Sequence, residues 1–189
     1  MPSRRRILAQ SGVALTTSSL GSCLSKIGLA KTGHIQAKVV SLEWTFQGQR
    51  YEDQPLNIAF DRSRGLIYGK YDPNIVNEII QSPTNIVVSK ASLSQLSTRF
   101  DVKYLIRICG ADFSRGGSQG CSNRWTERGD FNNIQLGDRA EVRVTRDNFD
   151  IIDVYKDSDT VQSVDVRTFD FAELHKDDGI SPDKWQHPK

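Results

Sequence analysis

Apolar and polar residues alternate along several stretches of this 189-residue chain. Between 35 and 46, Val40, Leu42, Trp44 and Phe46 alternate with Ser41, Glu43 and Thr45. That two-residue period predicts a strand with one buried face. Gln47-Gly48-Gln49 reads as a turn, and residues 56–60 as a second strand able to pair with the first. Residues 65–71 predict a third strand, weakened by Gly69. At 102–109, Val102, Tyr104, Ile106 and Ile108 face one way, and Lys103 and Arg107 the other. At 139–145, Ala140, Val142 and Val144 point inward, while Arg139, Glu141 and Arg143 point out. Arg146-Asp147-Asn148 suits a tight turn, and residues 149–155 return as the hairpin partner. Val164, Val166, Phe169 and Phe171 predict one more extended piece.

The period becomes helical twice. Asp72 can cap a helix whose first position suits Pro73. Ile75, Val76, Ile79 and Ile80 form its apolar face, and Ser82-Pro83 ends it. Residues 92–99 predict a second short helix, with Leu93, Leu96 and Phe100 on one side. The apolar run 86–88 fits either state. Strands do not alternate regularly with helices, so a doubly wound fold is disfavoured. The expected class is α+β: mainly antiparallel β, a small barrel or a sandwich, with two short helices. Gly137-Asp138-x-x-x-Val142 resembles a loop-into-strand step common in small β barrels.

Residues 110–138 break the pattern. These 29 residues show little periodicity, and structureless connections beyond about 12–15 residues are uncommon unless functional or disordered. The segment holds six glycines together with Phe113, Arg115, Arg124, Trp125, Arg128 and Phe131. Arg115, Arg124, Trp125 and Arg128 are the candidate binding residues, suited to an anion, a sugar or a partner protein. The competing reading is packing: glycines serving turns and Trp125 plugging the core. Gly117-x-x-Gly120 lacks the Lys-Ser/Thr that completes a phosphate loop.

The amino-terminal residues have a different character. Arg4, Arg5 and Arg6 precede a weakly apolar stretch, Ile7 to Leu20, interrupted by Gln10, Ser11, Thr16, Thr17, Ser18 and Ser19. This is the layout of an export signal, too short and too polar to span a bilayer, which takes about 20 mostly apolar residues. Ser3-Arg4-Arg5-Arg6-Ile7-Leu8 resembles a twin-arginine signal, with Ile7 where Phe is commoner. Leu20-Gly21-Ser22-Cys23 resembles a prokaryotic lipoprotein box. Together they resemble the signal of twin-arginine-exported lipoproteins, a version that archaeal lipoproteins often carry. The resemblance is confined to this segment. It implies export of an already folded chain, with Arg4 and Arg5 as the receptor-read pair. It also implies cleavage before Cys23 and lipid on that sulfur, where two chains anchor stably. The partner is then the membrane, reached through Cys23, and the address a lipid-anchored position on the extracytoplasmic face. The alternative is a soluble secreted protein cut near Ala30, without Cys23.

Charge and cysteine count sharpen this. Three of the 25 basic residues are Arg4, Arg5 and Arg6; from Cys23 onward 22 basic residues face 23 acidic ones, a net charge of −1. The basicity thus belongs to the address, and no basic footprint for nucleic acid remains. With Cys23 lipidated, Cys109 and Cys121 are an even pair, most simply a disulfide outside the cytoplasm. Free thiols remain an alternative. Zinc would need further ligands near them, and catalysis a positioned base. His34, His175 and His187 stand apart at the domain ends. Asp150, Asp153, Asp157 and Asp159 lack the spacing and glycine of a calcium loop. Neither a metal site nor a cofactor motif is expected.

The expected organisation is a signal over 1–22, a tether over 23–33, one β-rich domain over 34–174 and a polar, frayed tail over 175–189. The expected function is non-enzymatic binding, or an accessory role, toward an unknown envelope partner or small ligand. A surface-tethered hydrolase with its site in 110–138, or a structural envelope component, is the alternative.

Overall fold

The structure, a computed structural model, describes residues 30–114, 116, 119–156, 160–177, 179–180, 184–185 and 187–188. The signal residues Arg4 and Arg5, the lipidation candidate Cys23, and Arg115 lie outside the described residues.

One strand organises the sheet. β1 (Ala30–Phe46) lies between neighbours on both edges. On one edge it pairs antiparallel with β6 (Asp101–Gly110), from His34 opposite Cys109 to Glu43 opposite Asp101. On the other edge it changes partner. Ala30 to His34 pair with β8 (Arg139–Val144), and Ala37 to Phe46 pair with β2 (Gln49–Asp61). Between the two ladders, Gly137 and Asp138 hydrogen-bond the backbone of Ile35. β7 (Gly120–Thr126) pairs with β6, β9 (Phe149–Tyr155) with β8, and β3 (Leu66–Tyr71) with β2. β10 (Ser163–Thr168) joins β3 in the one parallel pairing among the described strands. A small separate ladder joins β4 (Ile80–Ser82) to β5 (Asn85–Ile86).

The fold is α+β and mainly antiparallel, as the alternation predicts. β1, β6, β7, β9 and β8 curl towards a ring, but β7 and β9 meet only at an isolated bridge, Trp125 opposite Asn148. The Trp125 amide donates to the Asp147 carbonyl at 3.0 Å, and the Thr126 hydroxyl to the Phe149 carbonyl at 3.2 Å. The described residues therefore form no closed barrel.

Four short helices are present among the described residues rather than two. α1 (Pro73–Val76) starts after Asp72 as expected, then tightens to a 3₁₀ turn, Asn77–Ile79, before β4. α2 (Lys90–Leu96) is capped by the Ser89 hydroxyl. α3 (Arg128–Asn133) and α4 (Phe171–Leu174) were not anticipated. Segment 110–138 is likewise not one long loop: it holds a 3₁₀ turn (Ala111–Phe113), β7 and α3. β7 hid because its inward positions, Ser122, Arg124 and Thr126, are polar, so the two-residue period carries no apolar signal.

The core draws on β1, β2, β6, β8, β9 and α3. Ile35, Val40, Leu42 and Trp44 of β1 pack with Leu56, Ile58, Phe100, Ile106, Ile108, Phe131, Val142 and Phe149. Two boundaries differ from expectation. β1 begins at Ala30, so residues 30–33, read as tether, are strand. The residues beyond Leu174, read as frayed, put Ile180 and Trp185 in the core at 3 and 4 % exposure. Trp185 packs against Phe171, Trp44 and Phe100, with ring centroids at 5.0, 5.3 and 5.5 Å. The buried Asp72 carboxylate holds this end down: it accepts from the Asn74 amide at 2.7 Å and from the Phe171 amide at 2.6 Å. Asp53 adds a second tie, accepting from Trp44 Nε1 at 3.0 Å and lying 3.1 Å from His175 Nε2.

Candidate functional site

The half-closed curl has a mouth, and the segment singled out in the sequence lines most of it. β6 ends at Gly110, the chain makes the 3₁₀ turn to Phe113, and β7 returns from Gly120. A disulfide between Cys109 and Cys121 clamps this return, at S–S 2.04 Å. The two cysteines are register partners on adjacent antiparallel strands. Gly120 is required there, because a Cβ on it would come within 2.3 Å of the Phe113 carbonyl oxygen. Asp112 fastens the turn to β1 by accepting from the Thr32 amide at 2.8 Å. Across the opening stands Val144, at the end of β8.

The resulting crevice, about 600 Å³, is lined by Lys31, Phe113, Ser114, Gly116, Gln119, Gly120, Ser122, Arg124 and Val144, with Cys121 at its rim. Its charge comes from two inward-phased cations. Lys31 lies opposite the buried Val142, and Arg124 opposite the buried Ile106. Lys31 Nζ sits 5.3 Å from the Phe113 ring centroid, and Phe113 in turn meets Phe149 edge-on at 5.9 Å. Arg124 is fixed by a hydrogen bond from Nη1 to the Asn123 carbonyl at 2.7 Å. Its Nε–H is buried with no acceptor among the described residues. A buried donor left unpaired costs about 1–3 kcal/mol, which an incoming acceptor would recover. Two cations, one aromatic edge and two serine hydroxyls suit a small ligand with an anionic or hydroxyl-rich face.

The three described candidates, Arg124, Trp125 and Arg128, do not form one site. Arg124 is in the mouth. Trp125, its neighbour on a strand, points to the opposite face, where Lys103 Nζ lies 5.8 Å from its ring. There it lines a smaller crevice of about 320 Å³ with Val102, Tyr104, Glu127 and Asn148. Arg128 is structural: Nη1 donates to the Val88 carbonyl at 2.9 Å, which Asn132 Nδ2 also meets at 2.9 Å. The Tyr104 hydroxyl is buried without a partner among the described residues, and burial pushes its pKa up to about 12 against the pull of Arg128. The three histidines stay apart. His34 lies on β1 outside the mouth, His175 pairs with Asp53, and His187 Nδ1 contacts the Pro188 carbonyl at 2.7 Å.

Sequence reasoning missed two cations. Lys31 was assigned to the tether, and only the pairing of residues 30–34 with β8 brings it to the mouth. Lys38 was passed over, although it is in phase with Val40, Leu42 and Trp44. It is fully buried, and Nζ donates to the carbonyls of Ile86, Phe131 and Ile134 at 2.8, 2.7 and 2.7 Å, with Gln135 Oε1 at 3.3 Å. Its phase in β1 was the available signal. Burial pushes its pKa down to about 7; Asp138 raises it and Lys156 lowers it.

No group of three or more His, Cys, Asp or Glu side chains among the described residues is placed to hold a metal ion. No protein-family model matches this chain, and neither a curated protein nor a solved structure matches it.

Proposed function

We propose that the chain is an exported lipoprotein, held on the extracytoplasmic face of a membrane through Cys23, whose domain binds a small acidic ligand at the mouth of the curl. The observation that carries the binding reading is Arg124. Its guanidinium is turned to the inner face of β7, fixed at one nitrogen and buried without an acceptor at another. Lys31 supplies the second positive charge and Phe113 an apolar wall. The disulfide supports the compartment, since such bonds persist chiefly outside the reducing cytosol. The resemblance of residues 1–23 to an exported lipoprotein signal supports the anchor.

Glucuronate, a sugar acid, is the probe. Titrating it into the full chain should shift backbone amide resonances of Lys31, Phe113 and Arg124 saturably. Arg124→Gln and Lys31→Gln should each weaken this by about tenfold, the equivalent of about 1.4 kcal/mol. Saturation with unchanged affinity in both variants would remove the mouth as the site. Turnover of glucuronides at the same residues would replace binding by hydrolysis. For the anchor, mass spectrometry of the mature amino terminus should find a lipidated Cys23, and Cys23→Ala should release the protein from membranes. Tight attachment of that variant would refute the anchor and leave the mouth untouched.

A further inference from the structure

The crevice beside Trp125 opens where β7 ends. Thr126, the last residue of β7, lies opposite Tyr104. β6 therefore runs on through Lys103 and Val102 with β1 on one edge and no β7 partner on the other. Past this end the chain turns at Glu127 into α3. The far side is closed by the β8–β9 turn, which meets β7 at the bridge between Trp125 and Asn148. The volume, about 320 Å³, falls within the range of small-ligand sites.

Part of the lining is already engaged. Lys103 Nζ is ion-paired with the buried Glu43 carboxylate, which also takes Arg50. Its charge is therefore balanced, and it serves to hold the indole ring in place. The Thr126 hydroxyl is spent on the Phe149 carbonyl. The Asn148 backbone is pinned to Thr145: its amide donates to Oγ1 at 3.0 Å, and its carbonyl accepts from the Thr145 amide at 3.0 Å. The remaining polar groups are not engaged. Among the described residues, the Trp125 indole N–H, the Glu127 carboxylate and the Asn148 carboxamide make no hydrogen bond or ion pair. Glu127 and Asn148 are exposed and Trp125 is half-buried. The unpaired Tyr104 hydroxyl lies in the wall beneath them.

We infer that this crevice binds a neutral pyranose sugar, at a site separate from the mouth. A half-buried indole offers a flat apolar face with a polar edge, which suits the C–H face of a sugar ring. Glu127 only accepts, the indole N–H only donates, and the Asn148 carboxamide and Tyr104 hydroxyl do both. Sugar hydroxyls also donate and accept, so they match this mixed set. An anion would meet the Glu127 carboxylate, with Lys103 already neutralised by Glu43. A cation would compete with the Lys103 ammonium for the same ring.

The test uses the methyl glycosides of glucose, galactose and mannose and the full chain carrying Cys23→Ala. Trp44 and Trp185 are buried, so the exposed indole is that of Trp125. At least one glycoside should shift its side-chain N–H resonance and the Asn148 amide saturably. Trp125→Ala should weaken binding by at least tenfold, and Glu127→Gln by about tenfold. Trp125→Phe, which keeps a flat ring, should stay within a few-fold of wild type, and Tyr104→Phe should weaken binding several-fold. Glu127 is exposed and makes no cap hydrogen bond, so Glu127→Gln should keep the wild-type circular dichroism even where Trp125→Ala does not. No saturable shift with any of the three glycosides overturns the inference, as does wild-type affinity in both Trp125→Ala and Glu127→Gln. Choline binding more tightly than every glycoside at the same resonances would also overturn it, in favour of a cation site. Glucuronate at the mouth is read at Lys31 and Phe113, so either site can fail alone.

Discussion

Replacing Lys38 with methionine tests the least expected feature of the core. The ammonium is fully buried and donates to three carbonyls, two of them at the end of α3. Lysine at a helix end favourably meets the last carbonyls. Methionine fits the same stem without donors. It leaves those carbonyls unpaired, at about 1–3 kcal/mol each, but removes the cost of burying a charge. The two effects separate with pH. In the unfolded chain Lys38 keeps its proton up to its ordinary value of 10.5, whereas in the fold it loses it near 7. Below pH 7 both states are charged, and the burial cost is felt in full. Between 7 and 10.5 the unfolded state binds more protons, so the stability contributed by this group rises with pH. The slope approaches about 1.4 kcal/mol per pH unit, for a total on the order of 5 kcal/mol. Urea unfolding at a series of pH values from 6 to 10 measures it. Wild type minus Lys38→Met should show the rise, because other titrating groups cancel in the difference. Parallel curves would mean that the three carbonyls hold the ammonium charged throughout, and would refute the claim that burial outweighs them.

Two further substitutions probe the frame. Trp185→Ala should cost about 3–5 kcal/mol, seen as a lower melting temperature; an unchanged melt would mean that the carboxy-terminal segment does not belong to the cooperative unit. Reducing the disulfide, or Cys109→Ser with Cys121→Ser, should cost about 3 kcal/mol for a closed loop of this length; amide exchange should quicken first at residues 111–113 and 120–122, and uniform quickening would count against a local clamp.

The strands that build the core were legible because their inward positions are apolar. In β8, Ala140 and Val142 are buried as the alternation requires, and Val144 packs against the same core. The start of α1 was legible from Asp72 and Pro73, although the helix shortens as the chain turns into β4. What stayed hidden depends on distant residues. Lys31 and residues 30–33 look like linker until β8, more than 100 positions away, supplies a pairing edge. Trp185 sits in a polar stretch and is buried because Asp72 anchors the Phe171 amide beneath it. Arg124 and Trp125 were grouped as neighbours in sequence, yet strand geometry sends adjacent side chains to opposite faces. The cysteine pairing was readable from the even count that remains once Cys23 is set aside; its position as a cross-strand pair was not.

The placement of β1 also fixes how the domain bears load. A pull on the chain ahead of Ala30 runs along the axis of a strand bonded to β8 and β2 on one side and to β6 on the other. The bonds of all three ladders lie across that axis. They are therefore sheared together, instead of opening one after another as in an unzipping hairpin, so a pull from that end is shared by all three ladders at once.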